Sequence, residues 1–206
     1  MNAVLGALVG CVMATGCLRW TRSYLLAING GANSPKMLSP LLTVIGGATG
    51  AAVGAGLVAS PAALAVTTCL LIVQAPLDLV THRLARAPTV LALVAMLIVC
   101  AFEVEQISAS RDLLGELSLV AALMAVVVVL HWRSPAALGW GDVLLVAPLA
   151  LAVVSVGSYS LFMWLLLASS SAAVHGLVLW RRTSRRHVPF GPHLLSAAWL
   201  VLVYSV

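Results

Sequence analysis

Eight apolar runs occupy almost the whole chain, at roughly 1–18, 38–58, 61–80, 88–104, 113–131, 142–156, 158–180 and 190–206. Hydrocarbon offers no partner to a backbone N–H or C=O, so runs of this kind satisfy their main chain only as helices. A spanning helix needs about 20 mostly apolar residues, and most of the runs approach this. The sixth is short and begins inside the preceding loop. Only 8% of the 206 residues are charged and 62% are hydrophobic, whereas soluble domains carry roughly 25% charged residues. The expected fold is therefore all-α: one membrane-embedded bundle over 1–206, with no room for a soluble domain of ordinary size. Pro61, Pro88 and Pro189 stand at or just before expected helix starts, where a missing N–H costs little.

The charges give the bundle an orientation. If the first run passes from outside to inside, four loops face the cytoplasm. They hold Arg19, Arg22 and Lys36, then Arg83 and Arg86, then Arg133, then Arg181, Arg182, Arg185 and Arg186. Of the 11 basic residues only Arg111 falls elsewhere. An excess of Lys and Arg marks cytoplasmic loops, so eight spans with both termini outside are expected. The net charge of +5 is thus topological and does not point to nucleic acid. The arginine block at 181–186 is expected to sit on anionic lipid, and Trp132, Trp140 and Trp180 to lie in the inner aromatic belt.

The remaining small residues read as packing. Cys11, Cys17, Cys69 and Cys100 lie in apolar runs without a CxxC pair, so neither a metal nor a redox role is expected. "LVGC" at 8–11 resembles a lipoprotein box, but no basic residue precedes it. Residues 1–18 are expected to remain as the first helix. Gly46, Gly50 and Gly54 recur every fourth residue, which puts them on one helix face and admits a close neighbour, either within this chain or from a second copy.

Six acids remain to be placed. Glu103, Glu105, Asp112 and Glu116 cluster in or beside one external loop, where solvation accounts for them. Asp78 and Asp142 are different, since both fall at cytoplasmic ends of spans. A carboxylate at the edge of hydrocarbon faces a partner or a water-filled cavity. Two carboxylates brought together cannot both ionise easily, so they share a proton. The charged member then takes a proton from water while the protonated one polarises a peptide carbonyl, which is aspartic-protease chemistry. The plainer alternatives are that Asp142 caps the sixth helix and that Asp78 pairs with His82 or Arg83.

The surrounding residues bear on this choice. "DLVTHRLARAP" carries Asp78, Arg83 and Leu84; "GWGDVLL" carries Gly139, Gly141 and Asp142; and "PFGP" supplies Pro189, Phe190, Gly191 and Pro192. Glycines beside an acid permit close approach of a substrate backbone. Together the three stretches resemble the prepilin peptidases, the type IV leader peptidase family of GxGD membrane aspartic proteases. The likeness is best over 60–206, and the first run also looks like that family's leading helix. It implies two catalytic aspartates, Asp78 and Asp142, with Gly139, Gly141, Pro189, Phe190 and Gly191 shaping a substrate groove.

The implied substrate is a prepilin-like membrane protein whose short basic leader is removed at the cytoplasmic face of the inner membrane, without a cofactor or a metal. The family pattern is not complete: Ala85 stands where Pro is usual, Arg86 where Asn is common, and Leu144 replaces the Lys of GxGDxK. The first cytoplasmic loop is short and has no Cys, so neither a zinc knot nor methyltransferase activity is expected.

Other chemistries have less behind them. Ser171 and His175 are four apart on one helix and within reach of each other, but the GxSG setting of a serine protease is missing and "ASSSAAVH" reads as helix packing. No HExxH is present. His82 is placed to tune Asp78, or simply lies in the headgroup zone. His193 follows PFGP, either at the mouth of the site or as an interfacial helix-start residue. The rival to an enzyme is a non-enzymatic membrane protein: an inactive scaffold of a pilus-like assembly, or a proton- or cation-coupled transporter. Transporters usually hold their charged site near the bilayer midplane, whereas both acids here are expected at the inner edge.

Overall fold

A computed structural model describes residues 3–29, 38–81, 84–107, 113–135, 138–182 and 188–204. Among these the chain is all-helical, with α1 (Ala3–Asn29), α2 (Leu38–Gly54), α3 (Pro61–Thr81), α4 (Arg86–Ile107), α5 (Leu113–Arg133), α6 (Trp140–Val154), α7 (Ser158–Arg182) and α8 (Gly191–Tyr204). Each coincides with an expected run. Three contain stretches long and apolar enough to cross a membrane: Pro61–Leu79, Leu114–Arg133 and Ser158–Arg181. Lys36, His82, Arg83, Arg111, Asp112, Arg185 and Arg186 lie outside the described residues.

Two boundaries differ from expectation. Helix α1 does not stop near residue 18 but continues through Arg19 and Arg22 to Asn29. No Pro or Gly stands between Cys17 and Asn29 to break it. Helix α2 ends at Gly54 rather than near 58, because Gly56 takes a positive φ of 72°. There the Gly56 N–H donates to the Val53 carbonyl and the Leu57 N–H to the Ala52 carbonyl, both at 3.1 Å. This is the Schellman arrangement, and glycine adopts its left-handed residue without a steric cost.

Burial sorts the helices. Helix α6 packs against α3, α4, α5, α7 and α8, and every residue from Pro148 to Val154 is buried. A helix apolar all round has no face for water, so a central position is its only stable one in a bundle. Of the apolar stretch in α3, 72% is buried, against 11% in α5 and 17% in α7. Helices α3 and α6 therefore form the interior, while α5 and α7 present their outer faces to whatever surrounds the protein. Side-chain polar groups tie the layers together. Trp199 Nε1 donates to Thr49 Oγ1 at 2.8 Å, Thr49 and Thr68 hydroxyls meet at 3.1 Å, and Trp164 Nε1 donates to the Leu194 carbonyl at 2.9 Å. Bonds of this kind join neighbouring helices in a bilayer, where apolar contact has no hydrophobic drive behind it.

The glycine stripe of α2 packs within the chain. It lies on α1, where a methyl added at Gly10 would land on the Gly46 carbonyl and one at Gly6 on the Gly50 carbonyl. The two backbones touch, and the α1–α2 pair then docks on α3. Gly10→Ala is expected to cost about 1–3 kcal/mol through overpacking, read as a lowered midpoint in detergent unfolding, whereas Gly16→Ala, with open space around it, leaves the midpoint unchanged.

Candidate active site at the α3, α6 and α8 ends

The last turn of α3 carries Asp78, only 6% exposed. Pro76 sits inside this helix and has no N–H to give the carbonyl four residues earlier, a local break in the ladder just before the acid. One turn before Asp78, the amide of fully buried Gln74 reaches across to the start of α4. Gln74 Nε2 donates to the Ala85 carbonyl at 2.6 Å and to Thr89 Oγ1 at 2.8 Å, while the Ala85 N–H donates to Gln74 Oε1 at 2.9 Å. The Thr89 hydroxyl donates to the Ala85 carbonyl at 3.1 Å. These bonds clamp the connection that follows Asp78, and Leu84 projects from it.

Asp142 is held from the other side. The N-cap of α6 is Gly139, in an extended conformation with φ −67° and ψ 149°. Asp142 is therefore not the capping residue, although it lies in the first turn. Its own N–H donates to the Gly139 carbonyl at 3.0 Å, and a negative charge in a first turn is favoured by the partial positive charge of the helix start. Leu138, just before Gly139, is held by His131, whose Nδ1–H donates to the Leu138 carbonyl at 2.8 Å and whose ring lies 5.0 Å from that of Trp140.

The third stretch closes the arrangement. The Phe190 carbonyl accepts the N–H groups of His193 and Leu194 at 3.1 Å and so starts α8. Pro189 is half-buried, and the Phe190 side chain packs on the main core. Gly191 is buried against Asp78: a methyl there would stand 2.8 Å from Asp78 Oδ2 and 3.3 Å from Leu84 Cδ2. Leu84 in turn covers Gly141, where a methyl would stand 3.2 Å from its Cβ. Asp78, Leu84, Gly141 and Gly191 thus form one contact chain, which ends one residue from half-buried Asp142.

The glycines of GxGD divide their roles. Gly141 gives room to Leu84, whereas a methyl at Gly139 would meet only Asp142 Oδ2 at an ordinary 3.4 Å. Leu144, where the family pattern has Lys, is half-buried. Ala85, where that pattern has Pro, uses the N–H that Pro would lack. No group of three or more His, Cys, Asp or Glu able to hold a metal ion occurs among the described residues. Gln74 and His131 were not singled out from sequence. Gln74 had a signal, being an uncharged polar residue inside an apolar run one turn before an acid; His131 had none, since its partner is a main-chain carbonyl.

No protein-family model, curated protein or solved structure matches the chain.

Ala85→Pro is expected to remove the donor to Gln74 Oε1 and leave a buried amide oxygen unmatched, at about 1–3 kcal/mol. Thermal unfolding in detergent checks this, with Ala85→Ser, which keeps the N–H, close to wild type.

Proposed function

We propose that this protein is a membrane aspartic endopeptidase of the prepilin peptidase type. In this reading it removes the short basic leader of prepilin-like proteins at the cytoplasmic face of the inner membrane. The eight helices all cross or line the bilayer, with both termini outside. The observation that carries the reading is that Leu84 packs between Gly191, which touches Asp78, and Gly141, the neighbour of Asp142, so that three distant parts of the sequence come together.

The proposed chemistry needs one proton between two carboxylates. The ionised member accepts a proton from water as the oxygen attacks the scissile carbonyl. The protonated member hydrogen-bonds to the carbonyl oxygen and neutralises the charge that develops there. Collapse of the tetrahedral intermediate passes a proton to the leaving amine. A basic leader is drawn to an acidic pair, and the substrate's apolar helix lies among the spans. Methyl transfer is not part of the proposal.

Co-expression with a prepilin-like precursor tests it, with precursor size read on a gel. Wild type is expected to shorten the precursor, while Asp78→Asn and Asp142→Asn each slow cleavage at least about 100-fold. Equal shortening by wild type and both variants defeats the dyad. Failure of wild type on every such precursor favours the inactive-scaffold reading, for which the replacement of Lys by Leu144 is the supporting observation. Within the active protein, Gly191→Ala is expected to displace the Asp78 carboxylate and slow cleavage about 10- to 100-fold, while Gly139→Ala leaves the rate near wild type.

A further inference from the structure

Away from the aspartates, three side chains of α7 and α8 form a second constellation. Ser171 and His175 do not bond to each other directly; His193 joins them. His193 Nδ1 lies 3.1 Å from Ser171 Oγ, and His193 Nε2 lies 2.9 Å from His175 Nδ1. The two imidazole centroids are 5.1 Å apart and tilted by 57°. The Ser171 hydroxyl has two acceptors in reach, the Ala168 carbonyl at 3.0 Å and His193 Nδ1. When it turns to His193, the opposite nitrogen of that ring carries the proton and donates to His175 Nδ1. A hydroxyl on a base, with the base oriented by a third group, is the arrangement that activates a serine nucleophile.

The surroundings fit an acyl substrate. Ser171 is exposed, on a helix that keeps only 17% of its apolar stretch buried. Beside it lies an open cavity of about 420 Å³ with apolar walls from Leu167, Val174 and Leu200 and polar groups from Ser171, His175 and Ser196. The Ser196 hydroxyl lines the same cavity and donates to the His193 carbonyl at 3.3 Å. His193 lies two residues, about 3 Å, along α8 from Gly191, which packs on Asp78.

We propose that Ser171, His193 and His175 form a nucleophilic site that accepts the acyl group of a carboxylic ester carried by a membrane amphiphile. Ser171 Oγ bonds to the carbonyl carbon while its proton passes to His193 Nδ1. The C–O bond to the alcohol then breaks, and the alcohol leaves with that proton. Water, deprotonated by the same nitrogen, releases the carboxylic acid and restores Ser171. His175 is a positioning residue, acting through His193. This site is independent of the aspartic dyad.

The test is covalent labelling of the full chain, in detergent or lipid nanodiscs, with an alkyl fluorophosphonate. A single adduct is expected on Ser171, located by mass spectrometry. Ser171→Ala, which alters one exposed hydroxyl, is expected to abolish it while keeping the wild-type unfolding midpoint. His193→Gln is expected to slow labelling at least about tenfold. His175→Leu does the same, whereas His175→Asn, which still offers an acceptor to His193 Nε2–H, restores it. Asp78→Asn and Asp142→Asn label like wild type, so this outcome stands apart from the fate of the peptidase reading. No adduct on Ser171, or labelling that persists in Ser171→Ala, overturns the proposal and leaves the three side chains as a hydrogen-bonded tie between α7 and α8.

Discussion

A helix with no polar face, such as α6, must be surrounded, and the rest of the bundle is arranged to surround it. Five helices pack against it. Its buried length from Pro148 to Val154 fixes where its first turn emerges, and with it Asp142. Helix α3, the other interior element, brings Asp78 to the same end. The stretches that carry the acids come together because the two most buried helices share one core: Leu84 bridges Gly141, next to Asp142, and Gly191, which touches Asp78. A carboxylate in such a place interacts strongly with nearby charge, since little water intervenes to screen it.

Close approach is the second constraint. Glycine serves it twice, in different ways. Between α1 and α2 it lets two backbones touch over several turns, beside the apolar contact of Ala14 with Leu42. Around the aspartates it works one position at a time: Gly191 admits the Asp78 carboxylate, and Gly141 admits Leu84. The buried amide of Gln74 complements this by using both its donor and acceptor sides on Ala85 and Thr89, which ties α3 to the start of α4. Satisfying every polar atom matters more in a dry interior than the number of bonds made.

Much of this was legible beforehand. The apolar runs located all eight helices, because long apolar stretches bounded by Pro, Gly or charge satisfy their backbone locally, as helices. The two isolated acids and the PFGP stretch pointed to one end of three helices. Other features were hidden. The length of α1 was missed because Arg19 and Arg22 read as a loop, although charge alone does not end a helix. The alternative that Asp142 caps α6 does not hold, since the N-cap is Gly139, three residues earlier. Ser171 and His175 were visible as a spacing on one helix, yet the group that links them, His193, comes from another.

The sequence by itself determined the all-helical class, the element order and the two acids that have no solvated loop to account for them. These follow from local rules: hydropathy, helix breakers and the cost of charge beside hydrocarbon. Only the tertiary structure decided that Gly46 and Gly50 face α1, that Ala85 supplies an N–H to Gln74, that Leu84 lies between Gly141 and Gly191, and that His193 completes a chain from Ser171 to His175. Each of these depends on which helix faces pack together, and that is set by the summed contacts of the whole bundle, which no single stretch contains.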